Sequence, residues 1–451
     1  MRKLILLLLT AVALAFADAP SVIAIRGVKI VTASGPTIDS GAVVIRDGLI
    51  DAVGANVQPP AGAWIIEGAG LTVYPGLIDG LSRWGIPEPP AAAPGGRGAA
   101  APATPNPAAL AAAVLTPPAR GPEDRPSTTS WVTAADQISL TDRRIDAFRS
   151  AGFTTAITFP TRGIFAGQGS VLDLAGEKVG QMVVADRAGQ YISLRSDGGF
   201  ASFPGSLMGV IAYIRQIYID ADHYRKVKSE YAKNPRGMAR PEYDRALEGV
   251  LASPRILLPA TRAVEIERMT RFAAELRQPT ILYGAHEAFR VASDIKLPVL
   301  VSLKWPERSR DADPDEIDSL RTLELRDQAP STPAALVKAG VKWAFYSDGI
   351  DRPADLMKAV KKAIDAGLTQ DQAIRALTLS PAEIFGVSDR LGSIEKGKIA
   401  NLVVTKGDLF QDKTQVQFIF VDGQKFEPTP EEPTPAVGSP GANRPPTGEL
   451  Q

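Results

Sequence analysis

The sequence predicts an α/β fold: a (β/α)8 TIM-like barrel with a small β-sandwich built from both chain ends. Three observations carry this. Short apolar alternations broken by turn residues run from Val22 to Ile66. A second β-rich run lies at Ala400–Val421. Between them, from about Val73 to Phe385, short apolar strands alternate with helix patterns, which over such a length favours a parallel barrel. The alternative is an open doubly wound sheet, but no G-x-G-x-x-G follows the first strand.

Each element has its own warrant. Arg2 and Lys3 precede the apolar run Leu4–Phe16, which ends in the cleavage pattern Ala15-Phe16-Ala17. Residues 1–17 therefore read as a signal peptide, too short for a membrane span, and the chain as periplasmic or secreted. Residues 18–74 form the first part of the sandwich. Its strands are Ile23-Ala24-Ile25, Ala42–Ile45 and Leu49–Val53, with turn signals at Ser34-Gly35-Pro36, Asp47-Gly48 and Pro59-Pro60. Residues 75–387 form the barrel. Its candidate strands are Thr154–Phe159, Ile256–Leu258, Thr280–Tyr283, Val299–Ser302 and Trp343–Ser347, and its candidate helices Ala263–Leu276, His286–Ile295 and Pro353–Ala366. Pro353 suits a first helical turn, where a missing N–H costs nothing. Gly167-Gln168-Gly169 reads as a β-turn before Val171-Leu172. Two insertions interrupt the barrel: an Ala/Pro/Gly low-complexity stretch, 85–126, and a helical stretch, 203–251, with aromatics and charges at helical spacing. Residues 388–426 return to the sandwich, with a hairpin turn at Asp422-Gly423. The Pro-rich stretch 427–451 reads as a disordered tail.

Composition narrows the chemistry. The 451 residues include 50 Lys and Arg against 50 Asp and Glu, 45% hydrophobic residues, no Cys and two His. A zero net charge argues against a nucleic-acid partner, which needs a basic face. The lack of cysteine excludes a disulfide scaffold, thiolate metal sites and a cysteine nucleophile. Imidazole chemistry has only His223 and His286 to draw on. His223, in the charged run Asp220–Arg225, reads as solvent-facing. His286 reads as a residue with a local role at the start of a helix.

Tyr74-Pro75-Gly76-Leu77-Ile78-Asp79 closes the first β-module and opens the first barrel strand. This pattern resembles the amidohydrolase superfamily, the metal-dependent hydrolases that include imidazolonepropionases and dihydroorotases. Gly41–Ile50 is similar to the family's N-terminal strand pair, Gly152-Phe153-Thr154-Thr155 to its second strand, and Tyr346-Ser347-Asp348 to the end of its eighth. Ala376–Ala382 is similar to its A-x-T-x-x-P-A helix, and Leu391–Leu402 to its return to the β-module. The resemblance spans nearly the whole chain apart from the low-complexity parts, and it implies hydrolysis of non-peptide carbon–nitrogen bonds at a barrel-mouth metal.

The family's metal ligands are another matter. Its first strand ends in P-G-x-x-D-x-H-x-H, whose two imidazoles face one side of the strand and grip a metal. Leu81 and Arg83 stand at those places here. The fifth-strand histidine falls near Leu258, Pro259 or Ala260, and the sixth-strand one near Tyr283 or Gly284. Asp348, the family's general base, is kept. The expectation is an exported barrel with no metal or other cofactor, degenerate as an enzyme, that binds a small molecule or a protein partner, as a homo- or hetero-oligomer. Asp348 is the candidate catalytic residue. Arg83, Arg262, Lys304 and Trp305 are the candidate ligand-binding residues, the arginines for a carboxylate or for Asp348 itself, and Lys304 with Trp305 as a cation beside an indole at the mouth. The alternatives are an active hydrolase with an atypical carboxylate-rich metal site, or a metal-free one with Asp348 as base.

Overall fold

A computed structural model describes residues 22–87, 122–195, 203–309, 311–313, 315–411 and 414–429. The signal peptide, most of the Ala/Pro/Gly insertion and nearly all of the Pro-rich tail lie outside the described residues.

The end module is a mixed sheet containing strands from both ends of the chain. β1 (Val22–Ile30), β2 (Ile38–Arg46), β3 (Leu49–Gly54), β4 (Trp64–Glu67) and β5 (Thr72–Pro75) come from the first part. The barrel strands follow as β6 (Leu77–Ser82), β7 (Phe153–Thr158), β8 (Phe165–Asp173), β9 (Val183–Ile192), β10 (Ile256–Ala260), β11 (Thr280–Gly284), β12 (Val299–Ser302) and β13 (Trp343–Tyr346). β14 (Leu402–Lys406), β15 (Gln415–Val421) and β16 (Gln424–Phe426) return to the end sheet. Its order is β16-β15-β14-β5-β1-β2-β3, with β4 beside β1. β5 is thus flanked by the first strand of the chain and by one more than 300 residues later. Asp47-Gly48 and Asp422-Gly423 both have positive φ at the two turn positions, the geometry of a tight right-twisted hairpin. The two turns meet: a Cβ on Gly423 would stand 2.6 Å from the Gly48 Cα.

The eight barrel strands follow chain order from β6 to β13, and the ring nearly closes. Gly80 of β6 approaches β13 so closely that a Cβ would lie 2.7 Å from the Phe345 carbonyl oxygen. Strand alternation sorts the side chains. Leu257, Ile281, Leu300 and Ala344 fill the interior with Ile78 and Phe159. Leu258, Leu282, Val301 and Phe345 face the helical layer.

Two expectations are corrected. Gly167-Gln168-Gly169 is not a turn but the middle of β8, which pairs antiparallel with both β7 and β9, so the barrel is not wholly parallel. Gly169 is needed there because the Phe159 ring lies where a side chain would go, 2.2 Å from an added Cβ. The expected helix His286–Ile295 is replaced by two 3-10 turns, Ala288–Arg290 and Ala292–Asp294. Tertiary bonds capture its start: Thr332 Oγ1 donates to the His286 carbonyl (3.0 Å), and the Glu287 carboxylate accepts from the Ala263 N–H (3.0 Å). Helices do occupy Ala263–Leu276 and Pro353–Asp365, and the 203–251 stretch carries Leu207–Lys233 and Arg245–Leu251.

The two units are joined at Asn401. Its amide donates to Asp173 Oδ1 (2.8 Å) and Thr155 Oγ1 (3.1 Å) of the barrel, while its Oδ1 accepts from the Asp422 N–H (2.7 Å). Its carbonyl accepts from the Gly76 N–H (2.8 Å). Gly76 tolerates no side chain, since a Cβ would stand 2.0 Å from Thr154 Oγ1. That explains glycine in the Pro75-Gly76 step from sheet to barrel.

Candidate functional site

Asp348 follows the last barrel strand in a left-handed conformation, φ 50°, and is exposed at the C-terminal face, where barrels of this kind keep their sites. Its Oδ2 accepts from Ser302 Oγ at 2.8 Å, and Ser302 Oγ in turn accepts from the Lys304 N–H at 3.1 Å. The end of β12 therefore fixes the carboxylate.

Three phenols stand at the ends of β9, β11 and β13. Tyr191 and Tyr283 stack with centroids 5.2 Å apart at 29°, and Tyr346 meets Tyr283 edge-on at 6.4 Å. Tyr283 Oη donates to the Ile192 carbonyl at 3.1 Å. Burial pushes all three phenols above their ordinary range, most strongly Tyr283 and Tyr346, and the negative charge of Asp348 adds to each.

His286 follows β11 and is 9% exposed, with its ring 5.9 Å from Trp305. The ring bonds the Ser302 backbone, and Nε2 is buried without a hydrogen-bond partner. Burial lowers the His286 pKa, outweighing the opposite pull of Asp348 and of the Ser302 bond, so the ring is neutral at pH 7. Asp79, 1% exposed, accepts from the Ser347 N–H through Oδ1 at 2.9 Å, and its Oδ2 also has no partner. Burial raises its pKa to about 7, with Asp348 adding a smaller push.

The sequence-predicted residues divide. Arg83 reaches the residue that follows Asp348: its Nη2 lies 2.7 Å from where a Gly349 Cβ would stand. Arg262 does not join them. It starts the helix Ala263–Leu276 and pairs with Glu265 at 2.7 Å, its side chain 56% exposed. The i, i+3 carboxylate on its own helix holds it there rather than Asp348. Lys304 is exposed and touches the site through its backbone. Trp305 does not rim the mouth. It is 6% exposed in the layer between strands and helices, and Nε1 donates to the Ala359 carbonyl at 2.8 Å. Sequence reasoning missed Ser302, Asp79 and the Tyr191–Tyr283 pair, and it gave His286 only a local role. The available signal was an aromatic or polar residue at the C-terminal end of each of several barrel strands.

The architecture is thus a nearly closed eight-stranded α/β barrel with an acid after its last strand, joined to a sheet drawn from both parts of the chain. The chain is similar to the amidohydrolase superfamily. Residues 259–426 match the Amidohydrolase family. Imidazolonepropionase of Flavobacterium johnsoniae is 34% identical over 108 residues, 21% of this chain and 26% of that protein. N-acetylglucosamine-6-phosphate deacetylase of Haemophilus influenzae is 48% identical over 50 residues, 11% of this chain and 13% of that protein. The chain thus spans about a quarter or less of the length of these relatives. A solved amidohydrolase from Thermotoga maritima superposes with a TM-score of 0.73 at 25% identity, covering 90% of this chain and 100% of that one.

The fold family implies a divalent metal at the barrel mouth, and the residues present do not fit one. Leu81 is 6% exposed and packs inside the barrel with Ile78, Phe159 and Tyr346. Arg83 carries a positive charge to the mouth. Pro259 and Ala260 end β10 and Gly284 ends β11, none with a side-chain donor. Among the described residues no three His, Cys, Asp or Glu side chains converge to hold a metal ion. A catalytic zinc needs about three protein ligands and an open position.

Proposed function

We propose that this chain is an exported amidohydrolase-superfamily protein that has lost the metal-dependent hydrolysis of carbon–nitrogen bonds and uses its barrel mouth to bind a small molecule. One observation carries the reading: the positions that would present imidazoles to the metal hold Leu81, Arg83 and the Pro259-Ala260 end of β10. Without a metal to lower the pKa of bound water to about 7, the site has no hydroxide to attack an amide. Asp348, held by Ser302 and open to solvent, remains as a charged group for recognition rather than for proton transfer from a metal-bound water. The signal-peptide pattern at 1–17 supports export.

The test is metal analysis of protein purified in its exported form, joined to amide and imide hydrolysis assays before and after chelation. The expected result is substoichiometric zinc, manganese and iron and no turnover. Near-stoichiometric metal with chelator-sensitive turnover overturns the reading. Turnover that survives chelation and disappears in Asp348→Asn would establish the metal-free alternative instead.

A further inference from the structure

We propose that a groove beside the 203–251 stretch holds a proline-rich piece of this chain's own insertion, Leu115–Gly121. The groove shares no residue with the barrel mouth, so this assignment stands apart from the reading above.

The groove is a cavity of about 990 Å³ between the helices Leu207–Lys233 and Arg245–Leu251 and the segment that begins with the turn Pro122–Asp124. Its apolar wall is aromatic: Trp131, Tyr224 and Tyr243, with Pro241 among them. Tyr243 is 77% exposed, although so large a ring gains by being covered. The Arg245 guanidinium lies over the Trp131 ring, 4.1 Å from its centroid, and extends the flat surface. Aromatic walls of this kind suit a polyproline II helix, which is pre-formed and needs little ordering on binding. Prolines bring carbonyls without N–H groups, and an indole N–H is a donor only, so Trp131 and a proline-rich occupant match in polarity.

The charges select one such occupant. Asp124, Asp220, Glu242 and Asp244 line the groove against Arg125 and Arg245. Arg125 is held by Asp220 at 2.5 Å and by Asp244 at 3.2 Å. The groove is therefore acidic even with both guanidiniums counted, and a complementary occupant carries positive charge. Leu115-Thr116-Pro117-Pro118-Ala119-Arg120-Gly121 combines paired prolines with an arginine. It belongs to 88–121, which lie outside the described residues and whose charged residues are Glu88, Arg97 and Arg120. The turn Pro122–Asp124 leads from it straight into Asp124 and Arg125 of the groove. So short a tether gives it an effective concentration of about millimolar at the groove. The other Pro-rich stretch, 427–451, carries Glu427, Glu431, Glu432 and Glu449 against Arg444 alone, the wrong sign for this groove.

The test is brief trypsin digestion of the full chain, with the initial rates of cleavage after Arg97 and after Arg120 followed by mass spectrometry. Both bonds precede a glycine, so Arg97 is an internal control. Arg120 is expected to be cut at least about tenfold more slowly than Arg97, because cleavage waits for the segment to leave the groove. Tyr243→Ala, at an exposed ring, and the double change Pro117→Ala, Pro118→Ala should each bring the two rates to within about twofold of one another. Equal rates in the unaltered chain overturn the proposal. Protection that survives both variants also overturns it, since closeness to the folded body rather than the groove would then be its source. Protection that grows with protein concentration overturns it too, and gives the groove to a second copy of the chain. A synthetic peptide of residues 113–121 should bind the Pro117→Ala, Pro118→Ala chain and not the unaltered one. Binding to neither overturns the proposal, and equal binding to both does so by marking an open groove for a partner's proline-rich segment.

Discussion

Asp173 shows how a single side chain ties stability to pH. It is buried between barrel and end sheet, where Thr155 Oγ1 and Asn401 Nδ2 both donate to its Oδ1 at 2.8 Å. Burial raises its pKa to about 7; Asp422 pushes the same way and Arg390 opposes. A carboxyl whose folded pKa lies above its unfolded one stabilises the fold fully below the ordinary carboxyl range, and that contribution is lost as pH rises towards 7. Asp79 acts with the same sign. Denaturant titrations should therefore show stability falling between about pH 4 and 7 from these two groups, and Asp173→Asn should reduce the slope. An unchanged slope would remove Asp173 as its source. Asn401→Asp would set a second carboxyl against the first and should cost about 2–4 kcal/mol at pH 8, with partial recovery at pH 5. The sequence shows Asn401 inside the Ala400-Asn401-Leu402 return to the end module, but not its partner. Asp173 lies 228 positions earlier, and no local spacing links them.

At the scale of elements, β8 was the strand hardest to read. All nine of its residues are buried, so it lacks the alternation of a half-exposed strand, and its Gly-Gln-Gly core has low strand propensity. Packing against Phe159 decides the matter. Gly169→Ala should cost about 1–3 kcal/mol in a chemical denaturation experiment, because Phe159 must move. The same change in a Phe159→Ala background should cost much less; additivity of the two would show that the ring is not the obstacle. The helices were plainer. Ala263–Leu276 and the start at Pro353 follow from apolar spacing and first-turn chemistry. The stretch after His286 has apolar residues that suit a helix, but Thr332 and the helix starting at Ala263 claim the polar groups at its start. Such bonds from elsewhere in the chain leave no mark on local periodicity.

For the molecule as a whole, the two β-rich ends and the alternating middle disclosed the architecture before any contact was known. The mouth was only half legible. Motif position located Asp348 and Arg83, whereas the tyrosines and Ser302 converge from separate strands, and only the closed ring of strands brings them together. The backbone and side-chain bonds through Gly76 and Asn401 couple the end sheet to the barrel, so the described units should melt as one. Gly423→Ala, which forces a side chain towards Gly48 at a positive φ, should lower the stability of that single transition by about 1–3 kcal/mol. A calorimetric trace that instead split, with a low-temperature peak for the end sheet, would show the two units to be energetically separate.

The pairing of β5 with β14 has a further consequence, for the order of assembly. While the chain is being made, Thr72–Pro75 has its neighbour on one side but an open edge on the other, and Leu402, Val403 and Val404, which will be wholly buried, have yet to be synthesised. An open strand edge is a template for unwanted pairing. Completion of the sheet therefore waits for Leu402–Thr405, and a ribosome-bound chain stopped short of residue 402 holds a sheet with its central seam unsewn.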